Sequence, residues 1–319
     1  MRLSALGEAG LIRRLAKNFK AGDSARRSRT RKRLGAGGDI IKGIGDDCAV
    51  IRISKKKCLL ITIDMLVEDI DFRLKDATPY QIGWKSLACG LSDIAAMGGI
   101  AKYAVISLGL PSGLSVEFID ELYRGIKALA RKFDVEIVGG DTNSSKALVM
   151  DVAVLGFTEP DRLARRSGAR HGDIIYVTGS LGGSYKSKRH LTFTPRLKEA
   201  RCLVNGLKIN SMIDISDGLS TDLNHIAKES GVGACVYEDL IPVSKDAKGI
   251  NSALNEGEDF ELLFTMPLAE ARRFAGRDFC ANDVKVTPIG EILDRPSGVK
   301  IIGRDGRARD LKPKGFSHF

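Results

Sequence analysis

Seven aspartates share one setting in the sequence: each lies where an apolar run meets glycine, serine or threonine. They are Asp46, Asp47, Asp64, Asp93, Asp141, Asp214 and Asp217. A single aspartate at such a junction is typical of a helix cap or a turn. Seven of them beside isoleucine, valine, leucine and alanine would be costly to bury unpaired, and few cationic residues stand nearby in the sequence.

A divalent metal ion would balance these carboxylates. Magnesium is a hard, octahedral ion that proteins hold through one or two carboxylates together with water and substrate phosphates. Several acidic residues would then share two or more ions. The chemistry expected from such a site is phosphoryl transfer, in which the protein aligns the reacting groups and neutralises the charge on the phosphate oxygens.

The common nucleotide-binding motifs are absent from the sequence. The stretch GSLGGSYKS at 179–187 does not have the spacing of a P-loop. The stretch GIGDDC at 43–48 has Cys48 where a dinucleotide loop has its third glycine, and it precedes a predicted strand rather than a helix. A protein-kinase catalytic loop is also missing. Any nucleotide site is therefore of another kind, and GIGDDC fits an acidic turn or a metal-binding loop.

The length and composition are those of a folded protein with two domains. The chain has 319 residues, of which 43% are hydrophobic and 28% charged. Its apolar runs are too short to span a bilayer, and the first residues lack the pattern of a signal peptide. We therefore expect a cytoplasmic protein without a membrane segment.

Two further features bear on possible partners. Much of the net charge of +10 comes from SARRSRTRKR at 24–33, which is either a solvated loop or a contact to a polyanion such as nucleic acid. No aromatic residues accompany it for base stacking, which argues against RNA as the main partner. The six cysteines show no paired spacing, so we expect free thiols rather than a zinc site.

The elements that must position the aspartates follow from hydrophobic periodicity. A helix is predicted at 3–19, a hairpin at 49–53 and 58–64, a helix at 80–97, a strand at 103–109, a helix at 115–133 and a strand at 135–139. A strand at 148–157 opens a second block, with strands at 174–178, 212–215, 233–238 and 260–266 and beyond 285, and helices near 196–206, 218–229 and 267–275.

Local hairpins and helical crossovers are mixed in both blocks, which favours two α+β domains over one doubly wound parallel sheet. The predicted domains are 1–146 and 147–319. Ser216 and Asp217 are expected to open the helix near 218, with Ser216 as its N-cap or as a phosphate contact.

The motifs resemble those of the thiamine-monophosphate kinase family. They are GIGDDCAV, TIDMLVEDIDF, IGWKSLACGLSDIAAMGG, VGGDTNSS, RSGARHGDIIYVTG, MIDISDGLSTDLNHIAKESGVGA, GEDFELLF and GFSHF, in that family's order from residue 43 to 319. The resemblance implies the fold of the aminoimidazole-ribonucleotide-synthetase superfamily. It also implies a homodimer formed through the first domain, and transfer of a phosphoryl group from ATP to thiamine monophosphate with magnesium.

The resemblance also implies roles for single residues. Magnesium is expected at Asp47, Thr62, Ile63, Asp64, Asp93, Asp141, Asp214 and Asp217, where Ile63 would offer only its backbone carbonyl. Catalysis would depend on Asp47, Asp141 and Asp214. ATP would contact Tyr123, Gly140, Asp141, Arg166 and Ser216. The thiamine end would contact Asp71, Glu258 and Phe316. In this assignment Asp47 binds metal, while Asp46 supports the turn or a water.

The sequence departs from the family pattern in places. Asp71 stands where histidine is common, Ile63 where threonine or serine is common, Glu256 in place of a glycine, and Phe316 in place of a frequent tryptophan. These departures bear on the thiamine pocket rather than on the metal site. The alternatives are another ATP-dependent enzyme of the same superfamily, such as an aminoimidazole-ribonucleotide synthetase, and a nucleic-acid-binding protein built around 24–33.

Overall fold

The computed structural model describes residues 7–20, 39–275 and 284–316. Its helices are α1 Glu8–Lys20, α2 Pro79–Ala96, α3 Val116–Phe133, α4 Leu197–Gly206, α5 Leu219–Ser230, α6 Ile250–Asn255 and α7 Leu268–Phe274. Its strands are β1 Asp39–Lys42, β2 Ala49–Arg52, β3 Cys58–Val67, β4 Ile100–Leu110, β5 Glu136–Ser144, β6 Val149–Thr158, β7 Ile174–Thr178, β8 Ser211–Asp214, β9 Gly233–Tyr237, β10 Leu262–Met266, β11 Val286–Leu293, β12 Val299–Ile302 and β13 Ala308–Asp310.

The first sheet has the strand order β1-β2-β3-β6-β4-β5. Its strands pair antiparallel except β4 and β5, which are parallel because α3 connects them. Side chains alternate along β3, so that Leu60, Thr62 and Leu66 are buried while Ile63 and Met65 are exposed. Helix α2 packs on the buried face, against β3 and β6. The other face of the sheet carries exposed apolar side chains.

Strand β6 corrects the predicted division of the chain. The sequence analysis assigns this segment to the second domain, but β6 pairs along its whole length with β3 and with most of β4. It therefore lies inside the first sheet, and the prediction that it opens the second domain is wrong. An alternating strand pattern identifies a strand but carries no information on its distant partners. A boundary in the segment after Thr158 fits the observed pairing.

The second sheet is mixed, with the order β13-β12-β9-β11-β7-β10-β8. Its two faces contribute to different cores. Tyr176 and Phe264 point into the core shared with α2 and the first sheet, whereas Ile175, Val177 and Leu263 point into a core closed by α5. The predicted class, α+β with two units, is confirmed, and the shared core brings the end of β8 against α2.

Helices α2 and α3 approach each other very closely. A β-carbon added at Gly83 would overlap the backbone carbonyl oxygen of Leu122, and one added at Gly125 would overlap that of Tyr80. Only glycine permits this approach of two backbones. Thr78 caps the start of α2 in a reciprocal capping box with Gln81. Helix α2 is therefore fixed along most of its length.

Most predicted helices and strands are present with shifts of a few residues at their ends. Strand β1 was not predicted. The opening helix is observed at Glu8–Lys20, and residues 3–6 of its predicted span lie outside the described residues, as does the basic segment 24–33. Free thiols are confirmed at Cys48, Cys58, Cys89 and Cys235, but Cys202 is disulfide-bonded, so that expectation is wrong there. Among the described helices, none has the length and apolar character needed to cross a membrane.

Candidate active site

Three aspartates from distant parts of the chain meet where the two sheets join. Asp47 comes from the loop before β2, Asp93 from the last turns of α2, and Asp214 from the end of β8. One carboxylate oxygen of each lies within 4.8 Å of the others. We call these residues, together with the neighbouring Asp64 of β3, the acidic cluster. The structure thus brings together four of the aspartates predicted to bind metal.

The secondary structure explains the convergence. Asp64 and Thr62 are two residues apart on β3, so both project from its covered face toward α2. The Thr62 hydroxyl donates a hydrogen bond to Asp93, and the Ser92 hydroxyl donates one of 2.5 Å to Asp214. Adjacent residues of one helix therefore connect the first sheet to the second. Ile63 projects to the other face, with 62% of its surface exposed, so only its backbone could take part.

Charge in the acidic cluster is poorly balanced. Burial and the negative charge of Asp47 raise the pKa of Asp214 to about 7, and burial with the charges of Asp151 and Asp47 raises the pKa of Asp64 to about 6. Burial and the charges of Asp64 and Asp214 raise the pKa of Asp93 well above its ordinary value. Each carboxylate therefore makes ionisation of the others costly.

The donor set fits magnesium. Oδ2 of Asp47 and Oδ2 of Asp64 are buried and accept no hydrogen bond from any described residue. Across the described ranges, no salt bridge reaches Asp64, Asp93 or Asp214. Buried carboxylate oxygens without partners are costly unless a cation joins them, and hard oxygen ligands are those that magnesium prefers.

Arg166 is the cation nearest to the acidic cluster among the described salt bridges. Its Nη2 and Nε donate to Oδ1 of Asp47 at 2.6 and 3.1 Å. Burial tends to lower the pKa of Arg166, but the charge of Asp47 outweighs it, so the net shift is upward. The sequence analysis noted few cations near the aspartates; the structure supplies this one from the segment between the sheets.

Asp46 stabilises the contact between Asp47 and Arg166. Its Oδ1 accepts the backbone N–H of Arg166 at 3.0 Å and that of Asp47 at 3.3 Å. Gly45, with a φ of 106°, makes the sharp turn that lets both aspartates project. Asp46 therefore ties the loop of Asp47 to the segment of Arg166, which agrees with the supporting role expected for it.

Asp217 lies in a second acidic group at the start of α5. Asp217, Asp222 and His225 each place one possible ligand atom within 4.8 Å of the others. The predicted N-cap is wrong: α5 is capped at Gly218, and the carboxylate of Asp222 accepts the N–H groups of Asp217 and Gly218 at 3.2 and 3.1 Å. Ser216 therefore stands two residues before the cap, with its side chain free of that task.

Two residues expected at the thiamine end lie beside this group. The N–H of Glu258 donates to the carbonyl of Ser216 at 2.7 Å, and that of Phe316 donates to the carbonyl of Asp217 at 3.2 Å. Phe316 is 41% exposed, whereas burial raises the pKa of Glu258. The structure thus joins the predicted substrate residues to the predicted metal and phosphate residues through backbone contacts.

Asp71 is held next to Glu258 by a lysine that the sequence analysis missed. Lys85 of α2 is fully buried, and its Nζ donates to Oε1 of Glu258 at 2.6 Å and to the carbonyl of Asp71 at 2.8 Å. The carboxylate of Asp71 accepts the N–H of Val67 at 2.8 Å. The available signal was a lysine eight residues before Asp93 within an otherwise apolar helix.

Asp141, Gly140 and Tyr123 lie apart from the acidic cluster. In the first sheet, Asp64 pairs with Val152, Val152 with Ile106, and Ile106 with Gly140. Gly140 therefore lies three strands away from Asp64, which is roughly 14 Å at the usual strand spacing. Asp141 is exposed on the edge strand β5. Beside it is a cavity of about 440 Å³, lined by Leu110, Pro111, Ser112, Leu114, Ile119, Thr142, Asn143 and Ser144. Tyr123, one helical turn after Ile119, is half-buried.

Comparison with known proteins agrees with this architecture. Residues 45–158 match the family described as AIR synthase related protein, N-terminal domain, and residues 170–302 match the C-terminal domain of the same family. Two such domains with an acidic cluster at their junction define an AIR synthase related protein.

The relatives narrow this class. The chain is 36% identical to a thiamine-monophosphate kinase of Buchnera aphidicola subsp. Schizaphis graminum, over 88% of this chain and 93% of that one. It is 33% identical to that of Aquifex aeolicus, over the full length of both. A solved structure described as AaThiL complexed with AMPPCP and TMP superposes with a TM-score of 0.83 at 32% identity, covering 100% of this chain and 99% of that one. The chain belongs to the thiamine-monophosphate kinase family.

Proposed function

We propose that the protein transfers the γ-phosphoryl group of ATP to thiamine monophosphate, which yields thiamine diphosphate and ADP. The observation that carries this proposal is the acidic cluster at the junction of the two sheets, with Arg166 at its edge. The names of the full-length relatives, and the nucleotide and TMP in the structure of one of them, support the same reaction.

Asp47, Asp64, Asp93 and Asp214 are the residues that would hold magnesium. When bound, magnesium would neutralise charge on the phosphate oxygens and orient them. Thr62, the backbone carbonyl of Ile63, Asp141 and Asp217 are further proposed ligands, on the strength of the resemblance. Asp141 has the least support. Within one chain its strand, β5, lies three strands away from the strand of Asp64, which is roughly 14 Å.

The other residues align the two phosphates. Arg166 carries a planar, permanently charged group suited to phosphate oxygens, and Asp46 fixes its backbone. Ser216 precedes the N-terminus of α5, where backbone N–H groups favour anions. The acceptor phosphate is already ionised, so no side chain needs to remove a proton from it. Alignment and charge neutralisation therefore supply most of the rate.

We place the base of ATP in the cavity beside Asp141. Its volume of about 440 Å³ lies in the usual range for a small-ligand pocket, and its lining combines apolar side chains with Thr142 and Asn143. Tyr123 and Gly140 flank this region, as expected for contacts to ATP. A triphosphate extending from here would run along the sheet toward the acidic cluster.

A homodimer formed through the first sheet is also proposed. The face of this sheet opposite α2 exposes Ile63, Met65 and Tyr103, at 62%, 57% and 40% of their surfaces. Apolar side chains grouped on one sheet face are typical of an interface. Light scattering would test this: Ile63→Glu with Met65→Lys should give monomers where the wild-type protein gives dimers, and a monomeric wild type would contradict it. The cytoplasmic location stays a prediction.

Product analysis tests the reaction. The protein is incubated with ATP, magnesium and thiamine monophosphate, and products are separated by chromatography. Thiamine diphosphate and ADP should form in equal amounts, and only with magnesium present. A parallel panel of other phosphate monoesters measures selectivity. If thiamine diphosphate is absent at every magnesium concentration while another acceptor is phosphorylated, the protein is a different kinase of this fold.

A further inference from the structure

Lys85 stands out among the buried groups that the proposed reaction does not use. It is a fully buried lysine in the middle of α2, and within the described ranges the side chain that it contacts by a hydrogen bond is that of Glu258, 173 positions away in the sequence. A lysine is seldom fully buried without a compensating charge, and burying an ion pair brings little net stability in general. The pair therefore calls for a role beyond holding the fold together.

The geometry around Glu258 is constrained. Glu258 and Phe260 both adopt left-handed backbone conformations, with φ values of 52° and 49°. Such conformations are costly for residues other than glycine and persist where surrounding contacts enforce them. Lys85 fixes Oε1 of Glu258 at 2.6 Å, whereas Oε2 is buried and accepts no hydrogen bond of normal geometry within the described ranges. Tyr185 lies close to this carboxylate, since burial together with Glu258 raises the pKa of Tyr185. Lys85 thus holds one carboxylate oxygen, and the other remains for a ligand that binds beside Tyr185.

The charges near Lys85 sum to a single negative charge. Lys85 contributes one positive charge, and Glu258 and Asp71 one negative charge each. Lys85 contacts both residues, and burial raises the pKa of Glu258, which the charge of Lys85 lowers and that of Asp71 raises. A group with one net negative charge matches a ligand group with one positive charge. The thiazolium ring of thiamine carries one such charge.

The same helix face leads from Lys85 to the acidic cluster. Cys89 lies one turn beyond Lys85 and one turn before Asp93, and its thiol is buried among the charges of Asp64, Lys85, Glu258 and Asp93. Eight residues of helix separate Lys85 from Asp93, about 12 Å of rise. A single rigid element therefore carries both the partner of Glu258 and one proposed metal ligand.

We propose that Lys85 is a positioning residue that sets the recognition of the thiazolium ring. It holds Oε1 of Glu258 in place, so that the carboxylate is oriented toward the ring. This inference rests on the proposed function, since the ring is that of thiamine monophosphate. It adds a specificity-determining residue that acts through Glu258.

The test compares Lys85→Met, Glu258→Gln and the double variant on two acceptors. One acceptor is thiamine monophosphate, and the other is its analogue with a neutral thiophene ring in place of the thiazolium. Arg201→Met is the control, because Arg201 also pairs with a glutamate, Glu159, at 2.9 Å, but beyond the C-terminal end of α2, where it contacts the carbonyl of Gly98. KM and kcat are measured for each acceptor and for ATP, alongside thermal unfolding.

In Lys85→Met, KM for thiamine monophosphate should rise by about 30-fold or more, the effect of truncating one partner of a buried charge pair. KM for ATP should stay within about twofold of the wild-type value, and Arg201→Met should leave both unchanged. The double variant should regain wild-type thermal stability, because both charges are gone, yet keep the raised KM. It should also prefer the charged ring less than the wild type does, because the carboxylate of Glu258 is gone while Asp71 remains.

A double variant that regains both stability and the wild-type KM would overturn the inference, because Lys85 would then serve the fold alone. The same holds if Lys85→Met folds and keeps the wild-type preference for the charged ring. If Lys85→Met does not fold, the double variant decides. A wild-type protein that forms no thiamine diphosphate is a different result, and it removes the proposed function itself.

Discussion

Two groups of carboxylates in this protein differ in how their charge is compensated. Just before β10, Asp259 pairs with Arg189 at 2.6 Å, and Glu261 pairs with Arg196 at 2.5 and 2.7 Å. We call these four residues the matched network. The N–H of Gly182 donates to both oxygens of Asp259 at 2.9 Å, and the Thr178 hydroxyl donates to Glu261 at 2.6 Å. Each acid there has a partner.

The acidic cluster is less completely buried, since Asp64 and Asp93 are partly exposed, but it has fewer cationic partners. Oδ2 of Asp47 and Oδ2 of Asp64 accept no hydrogen bond within the described part of the chain, and the one salt bridge to the acidic cluster in that part is that of Arg166 with Asp47. Buried charge is tolerated where it is compensated locally. A lack of local compensation for buried carboxylates therefore distinguishes a binding site from a structural ion-pair network more reliably than the number of acidic residues does.

The largest expected effect is on catalysis. Asp214→Asn keeps the shape of the side chain but removes a charge that the proposed reaction needs, so kcat/KM should fall on the order of 10³-fold. Circular dichroism should show an intact fold. The control is Asp161→Asn, an exposed aspartate between the two domains, which should retain full activity. Unchanged activity in Asp214→Asn would remove Asp214 from the acidic cluster's function.

The matched network should respond in its stability instead. Glu261→Gln leaves the guanidinium of Arg196 buried without its counter-charge, and the free energy of unfolding should fall by about 3 kcal/mol. Urea denaturation monitored by fluorescence gives this value. Asp93→Asn should not destabilise the metal-free protein, since it relieves repulsion. Equal destabilisation by both substitutions would end the distinction between the two groups.

Magnesium should stabilise the protein mainly through the acidic cluster. A ligand that binds only the folded state at 100 times its Kd adds about 2.7 kcal/mol to the free energy of unfolding. Thermal unfolding is followed while MgCl2 is added at constant ionic strength, and a chelator should reverse the shift. Asp93→Asn should lose most of this shift, whereas Glu261→Gln should retain it. A full shift in Asp93→Asn would show that magnesium binds elsewhere.

The smallest expected effect is a dependence on pH. The pKa of Asp214 is raised from its ordinary value of 3.8 to about 7 by burial and by Asp47. The folded state therefore binds a proton more tightly than the unfolded state, and the stability of the metal-free protein contributed by this group falls as pH rises from about 4 to 7. Asp214→Asn should remove this loss.

The measurement is the difference between the free energies of unfolding of Asp214→Asn and the wild type, with a chelator present. It should increase in favour of Asp214→Asn between pH 5 and pH 7.5, on the order of 2 kcal/mol. His190 and His225, whose pKa values burial lowers to about 4, titrate in both proteins and cancel in the difference. A difference that does not vary with pH would mean that Asp214 is ionised throughout.

Local patterns predicted most of the elements that carry the site. Helical periodicity gave α2 and α3, and the acidic junctions gave Asp47, Asp93 and Asp214 because carboxylates between apolar runs are unusual. The membership of β6 in the first sheet was missed, because strand pairing is a long-range property that alternation does not encode. The site depends on that pairing, since β6 lies between β3 and β4.

Side-chain partners were harder to predict than side-chain types. Lys85 was not predicted as a site residue, because a lysine in a helix is usually solvated. Only the fold reveals that its side chain contacts Glu258. Ser216 was considered either as the N-cap of α5 or as a phosphate contact, and the N-cap alternative failed because Asp222 accepts the N–H groups of Asp217 and Gly218 from within the helix. Both depend on contacts between residues that the sequence pattern cannot pair.

The close contact of α2 with α3 has a consequence for acceptor length. A helix locked by backbone contact at Gly83 and Gly125 neither stretches nor slides, so the spacing between Lys85 and Asp93 is set by covalent geometry. The helix therefore sets a fixed distance between the part of the site that binds the ring and the part that binds the phosphate. An acceptor whose linker between ring and phosphate is one or two carbons shorter or longer would be a poor substrate, even with an identical ring. Its phosphate would not reach the acidic cluster while its ring contacts Glu258.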